Sequence, residues 1–160
     1  MTAPPAGPPV LIGWKEYVAL PDLGVRVLKA KIDTGARTSS LHVAEIRTLA
    51  ELPDGEADLE IVLAPDRRRS HRRLTARVRQ LSLVEVTDSG GHAEIRPVVE
   101  TRILLGPVEK RIRVTLTDRS GMLFRMILGR KALEGDFVVD VARKYVQSRP
   151  SGPQTLIQEP

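Results

Sequence analysis

The chain has 160 residues, 41% of them hydrophobic, which is enough for one folded domain with a real core. It has no cysteine, which excludes disulfides, thiolate zinc sites and a cysteine nucleophile, and only 3% aromatic residues, so the core must be aliphatic. Net charge is +5, and much of the positive charge is local: "DRRRSHRRLTARVR" (66–79) holds seven arginines against one acid. Such a run either binds phosphates or acidic groups, or is simply a solvated face.

In chain order, residues 1–9 carry four prolines and read as a disordered tail. This N-terminus has neither the basic nor the long apolar region of a signal peptide, and no apolar run approaches the ~20 residues of a membrane helix. The expectation is a soluble, cytoplasmic protein with no membrane partner. The folded domain is expected over 10–148, followed by a second disordered tail, 149–160. Inside the domain, "LIGWKEYVAL" leads through the turn signal "PDLG" into "VRVLKAKI". In that segment Val25, Val27 and Lys29 alternate with Arg26, Leu28 and Ala30. "SSLHVAEI" reads as one short helical turn. "ADLEIVLAP", "TARVRQLSLVEVT", "AEIRPVVETRILLG" and "KRIRVTLTD" read as strands, with "DSGG" (88–91) as a hairpin tip. "GRKALEG" is a short helix closed by glycine, and "FVVDVARKYVQ" a final strand. The pattern predicts a mostly-β domain, a small barrel or folded sandwich.

The chemistry-bearing stretch is "KAKIDTGARTSSLH". An apolar-rich strand ends at Asp33, and Thr34, Gly35 and Ala36 follow. Alone, Asp-x-Gly is a turn former, because Asp bonds its own backbone and glycine is permissive. Here, however, the hairpin signal already lies upstream, and a second pattern, "FRMILGRKAL" (124–133), runs apolar residues straight into Gly129 about ninety residues further on.

Together "KIDTGA" and "MILGRKAL" resemble the retropepsin-like aspartic peptidases. With "RPVVETRILLG", "VTLTDRSGMLFRMILGRKAL" and "FVVDVARKYV", the likeness narrows to the bacterial retropepsin-like family often called "ATP-dependent zinc protease" and associated with RimK-type glutamate ligases, and it spans about residues 11–147. The resemblance implies a small closed acid-protease barrel with one short C-terminal helix. One chain supplies one D-T-G, so it also implies a homodimer in which two Asp33 carboxylates face each other across a two-fold axis. Carboxylates about 3 Å apart share one proton, and the pair activates water against a peptide bond of a protein or peptide substrate. Thr34 would hydrogen-bond across the axis. Gly35 would let backbone approach the substrate and offer its carbonyl. Ala36 would keep the floor shallow, Ile127 and Leu128 would pack beneath the loop, and Gly129 would permit the close crossing. Ala36, Arg37, Ile127, Leu128 and Gly129 form the expected substrate-binding set.

No cofactor is expected. His42, His71 and His92 lack ligand-like spacing, so no metal is expected either, despite the family label. The flap that should cover the cleft is expected at Val86–Ile95, with the Ala64–Arg73 loop as competitor. Retroviral members place an acid, which pairs with the later arginine, where this chain has Arg37. Either another carboxylate serves Arg130, or Arg37 points into the cleft and favours an acidic or glutamylated substrate. Two rival readings stand beside the peptidase. One is a non-catalytic dimerisation or regulatory module on the same fold. The other is a basic nucleic-acid-binding domain, which the absence of aromatics from the arginine run disfavours, so no nucleic acid is expected as partner.

Overall fold

The structure, a computed structural model, describes residues 7–147 and 149–150, so most of both expected tails lies outside the described residues. Twelve strands and one short helix follow one another: β1 (Val10–Gly13), β2 (Lys15–Leu20), β3 (Val25–Ile32), β4 (Ser39–His42), β5 (Glu45–Glu51), β6 (Ala57–Leu63), β7 (Leu74–Gln80), β8 (Ser82–Thr87), β9 (Ala93–Leu105), β10 (Val108–Thr117), β11 (Met126–Leu128), α1 (Arg130–Leu133) and β12 (Phe137–Asp140). The strands β10-β4-β11-β3-β2-β9 are hydrogen-bonded in that order, and β9 pairs back onto β10, closing a six-stranded barrel. Closure leaves no free edge within the ring. β8 hangs outside on β9, β5-β6-β7 form a second sheet, and β1 runs parallel to β12.

The aliphatic composition dictates the interior. Leu28, Ile32, Leu41, Leu105, Leu116, Met126 and Leu128 from the barrel join Leu59, Ile61 and Leu63 of the second sheet in one buried cluster. Each such side chain contributes about 1.5–3 kcal/mol by leaving water. The strand alternation predicted for β3 holds only in its second half. Leu28, Ala30 and Ile32 face the core, but Val25 is also buried and Arg26 exposed. The β2–β3 register slips between Val18 and Leu20, and this bulge shifts the phase by one residue.

Three other segments depart from the sequence reading. "SSLH" is not a helical turn but the strand β4, buried throughout, running parallel to β10 and antiparallel to β11. β5 is a strand with every residue exposed, held to β6 by pairs such as Arg47–Glu60 (2.7 Å). The final strand is also shorter than read: β12 stops at Asp140, whose carboxylate accepts the Ala142 N–H in a turn.

After that turn the chain is pinned back on the barrel. Glu16 is fully buried and accepts N–H bonds from Gly13 (2.7 Å), Val146 (2.9 Å) and Gln147 (3.1 Å). A side chain at Gly13 would lie 2.3 Å from the Arg143 carbonyl, so glycine permits the crossing. Among the described residues, no helix is long and apolar enough to cross a membrane.

Candidate active site

β3 carries the chain out of the core at Ile32 and delivers Asp33 half-buried at the barrel mouth. The Asp33 N–H donates to the Leu128 carbonyl (2.9 Å), extending the parallel β3–β11 ladder by one residue. The Asp33 carboxylate accepts the Gly35 N–H (3.0 Å), and the Ala36 N–H closes the turn on the Asp33 carbonyl (3.2 Å). Asx-turn chemistry thus builds the loop, and one carboxylate oxygen is spent on holding its shape.

The second motif grips this loop from beneath. Gly129 crosses so closely that an added Cβ would sit 2.6 Å from the Thr38 carbonyl oxygen and 2.9 Å from that of Ala36. Its N–H donates to the Ser39 hydroxyl (3.1 Å). The first N–H groups of α1 have no partner within the helix, and the loop supplies them: Arg130 N–H to Ala36 O (2.8 Å), Lys131 N–H to Arg37 O (3.0 Å). The Arg130 side chain then reaches back to the carbonyls of Thr34 (3.0 Å) and Gly35 (3.3 Å). Leu128 is buried and Ile127 half-buried beneath. Thr34, Gly35 and Arg37 are exposed, and Ala36 is half-buried. All eight residues singled out from the sequence therefore come together in one place.

The matching family model is that of the RimB-like, retropepsin-like aspartic endopeptidases, and it covers residues 11–150. The chain belongs to this family. It is 34% identical over 135 residues to a probable alpha-L-glutamate ligase of Shewanella pealeana, covering 84% of this chain and 29% of that protein. A protein of the same description from Desulfotalea psychrophila is 34% identical over 134 residues, covering 82% and 28%. The chain thus spans under a third of the length of these curated relatives. A crystal structure of a Legionella pneumophila protein of unknown function superposes with a TM-score of 0.69 at 28% identity, covering 86% of this chain and 97% of that one.

The loop of this RimB-like chain departs from the retroviral pattern in a definite way. Arg130 bonds two backbone carbonyls, and among the described residues no carboxylate pairs with it. Around the loop the sequence reading missed Arg119, which is half-buried just beyond β10. Burial, then repulsion from Arg96, lowers its guanidinium pKa, and attraction to Asp33 partly restores it. The Arg119 N–H donates to Nδ1 of His42 (2.8 Å), and its Nε to the Phe124 carbonyl (3.2 Å). His42 is buried; desolvation first, then the Arg125 charge, holds its pKa below the ordinary value, which favours the neutral ring. No local pattern around "TDRSGMLFR" signals this, because it depends on β4 and β10 meeting in space.

The hairpin of β8 and β9 projects beyond the barrel, its tip tied by the Asp88 carboxylate accepting the Gly90 and His92 N–H groups (2.9 Å each). Next to the tip Glu94 accepts from the Thr117 hydroxyl (2.7 Å), linking the hairpin to the strand that leads to Arg119. The arginine run divides. Arg79 pairs with Asp58 (2.7 Å) and Arg73 with Glu45 (3.3 Å) on the second sheet, while Arg67–Arg69 form an exposed turn. Among the described residues no group of three or more His, Asp or Glu is placed to hold a metal.

Proposed function

We propose that the chain is an aspartic endopeptidase that acts as a homodimer, with Asp33 and the partner's Asp33 holding one water between them. The observation that carries this reading is the loop itself. Asp33 is held at the barrel mouth by Leu128 and its own turn, beside a backbone of small exposed residues. In the reaction the ionised carboxylate takes a proton from the water as its oxygen adds to the scissile carbonyl. The protonated carboxylate donates to the carbonyl oxygen, giving a tetrahedral diol. Collapse breaks the C–N bond, and the amine leaves with the proton gained from the pair. Thr34, which is exposed in the loop, serves the dimer axis. The β8–β9 hairpin is the flap. Arg37, exposed beside the loop, favours acidic or glutamylated protein substrates. The link to glutamate ligation suits a cytoplasmic enzyme that removes what such a ligase adds.

The test is cleavage of Glu-rich and neutral peptides by wild type, Asp33→Asn and Arg37→Ala, each with and without a chelator. The expected result is activity that vanishes in Asp33→Asn and survives the chelator, with a Glu preference that falls in Arg37→Ala. Activity that persists in Asp33→Asn, or dies with the chelator, refutes the shared-carboxylate mechanism. Equal rates on both peptides in wild type and Arg37→Ala refute the substrate assignment.

One observation favours a second reading. The chain matches 28–29% of much longer proteins described as probable ligases, so this unit also occurs as part of larger proteins. A dimerisation or regulatory module would account for that, and a wild type that dimerises without cleaving any peptide would support it.

A further inference from the structure

Arg125, the residue before β11, is 5% exposed, yet its Nε and Nη1 are buried with no hydrogen-bond partner among the described residues. A guanidinium is always charged, and a buried one without partners is among the more expensive groups a fold can hold. It lines a cavity of about 610 Å³ together with His42, Arg67, Ser70, Arg73 and Ser120. Three guanidinium groups thus meet one acid, Asp118, and that carboxylate is 75% exposed and already accepts the Ser120 N–H (2.8 Å). Asp118 lies 3.7 Å from His42 Nδ1, and Arg73 also pairs with Glu45 at the rim. Because His42 Nδ1 accepts the Arg119 N–H, the neutral ring carries its proton on Nε2, leaving a donor on that side.

The cavity is separate from the Asp33 loop. Met126 pairs with Ala30, which puts Arg125 level with Lys29, four residues back along β3 from Asp33. At about 3.3 Å per residue that is roughly 13 Å.

We propose that this cavity is a second binding site, for a compact oxyanion (a carboxylate or a phosphate group), with Arg125 as its buried anchor and Arg67 and Arg73 at its mouth. The proposal does not depend on peptidase activity, since it concerns binding at residues outside the Asp33 loop. An arriving oxyanion gives Arg125 the charge-assisted hydrogen bonds it lacks, and the serine hydroxyls and His42 complete a donor-rich lining.

The test is calorimetric titration of the full chain with inorganic phosphate and with glutarate, at constant ionic strength set by chloride, on wild type, Arg125→Met and Asp33→Asn. Wild type and Asp33→Asn should bind one of the two anions alike, and Arg125→Met should lose about tenfold or more in affinity. Arg125→Met is expected to fold, because an apolar chain replaces an uncompensated buried charge. Should it not fold, the Arg67→Ala/Arg73→Ala double variant replaces it and should weaken binding about threefold or more. Tighter phosphate marks an effector site; tighter glutarate marks a subsite for an acidic side chain. No binding of either anion to wild type, or unchanged affinity in the folded arginine variants, overturns the proposal.

Discussion

Gly129→Ala is the sharpest probe of how the two motifs are joined. The added methyl would meet the Thr38 carbonyl oxygen at 2.6 Å, its carbon at 2.7 Å and the Ala36 carbonyl oxygen at 2.9 Å. Ordinary contact begins at 3.4 Å, so the loop must retreat by about 0.8 Å, and every obstructing atom is backbone. The Ala36 carbonyl also accepts the Arg130 N–H at 2.8 Å, so retreat strains that bond as well. Overpacking plus a weakened hydrogen bond amount to about 3 kcal/mol, or roughly 6–12 °C in Tm for a domain of this size. Urea denaturation and thermal melts measure the stability, and, on the proposed peptidase reading, peptide cleavage reports the loop. Gly24→Ala is the control: Gly24 has φ 76° with nothing within 4 Å of its added methyl, so only left-handed strain of about 1 kcal/mol is expected there. A Gly129→Ala protein as stable as wild type, cleaving at the wild-type rate, would refute the close-crossing argument.

The remaining predictions concern the buried ionisable groups. Glu16→Ala strands the N–H groups of Gly13, Val146 and Gln147, at about 1–3 kcal/mol for a buried donor left unpaired; limited proteolysis should then cut first within 141–147, and unchanged resistance there would show that the clamp is not needed. His42 has a folded-state pKa below its ordinary 6.5, through burial and then Arg125. The unfolded chain therefore takes up a proton that the native chain resists. Its stabilising contribution is full above pH 6.5 and is lost as pH falls through the folded-state value. His42→Asn keeps an acceptor for the Arg119 N–H but cannot titrate, so its urea midpoint should fall less than that of wild type between about pH 7.5 and about pH 5.

What could be read from the chain, and what could not, follows from where the information lies. The Asp33 loop and the 126–133 segment were legible because their constraints are local: an acid that bonds its own turn, and a glycine where an apolar run crosses backbone. The long strands β9 and β10 were legible because β-branched residues recur with turn signals between them. β4 was not, because Ser39, Ser40 and His42 look like surface residues and are buried only by strands distant in sequence, β10 and β11. β5 was not, because it has no buried face to impose alternation. Arg119 and Arg125 were invisible for the same reason as β4: a loop of mixed polarity says nothing about which of its arginines the fold will bury.

The exchange of an acid for Arg37 has a consequence for the whole mouth of the barrel. Where an acid follows the D-T-G-A motif, it can neutralise the arginine of the second motif. Here Arg130 is satisfied by the Thr34 and Gly35 carbonyls instead, which carry no charge to cancel its own. Arg37 adds a second exposed guanidinium, and Arg119 a third whose charge Asp33 attracts. The cations Arg37, Arg119 and Arg130 therefore shape the field at the Asp33 loop. Such a field concentrates anionic peptides and does little for neutral ones, and salt screens it over about 10 Å. A retroviral loop with its acid in place would present no such excess. On the peptidase reading, the preference for acidic substrates thus follows from how Arg130 is satisfied, together with the sign of the side chain at position 37.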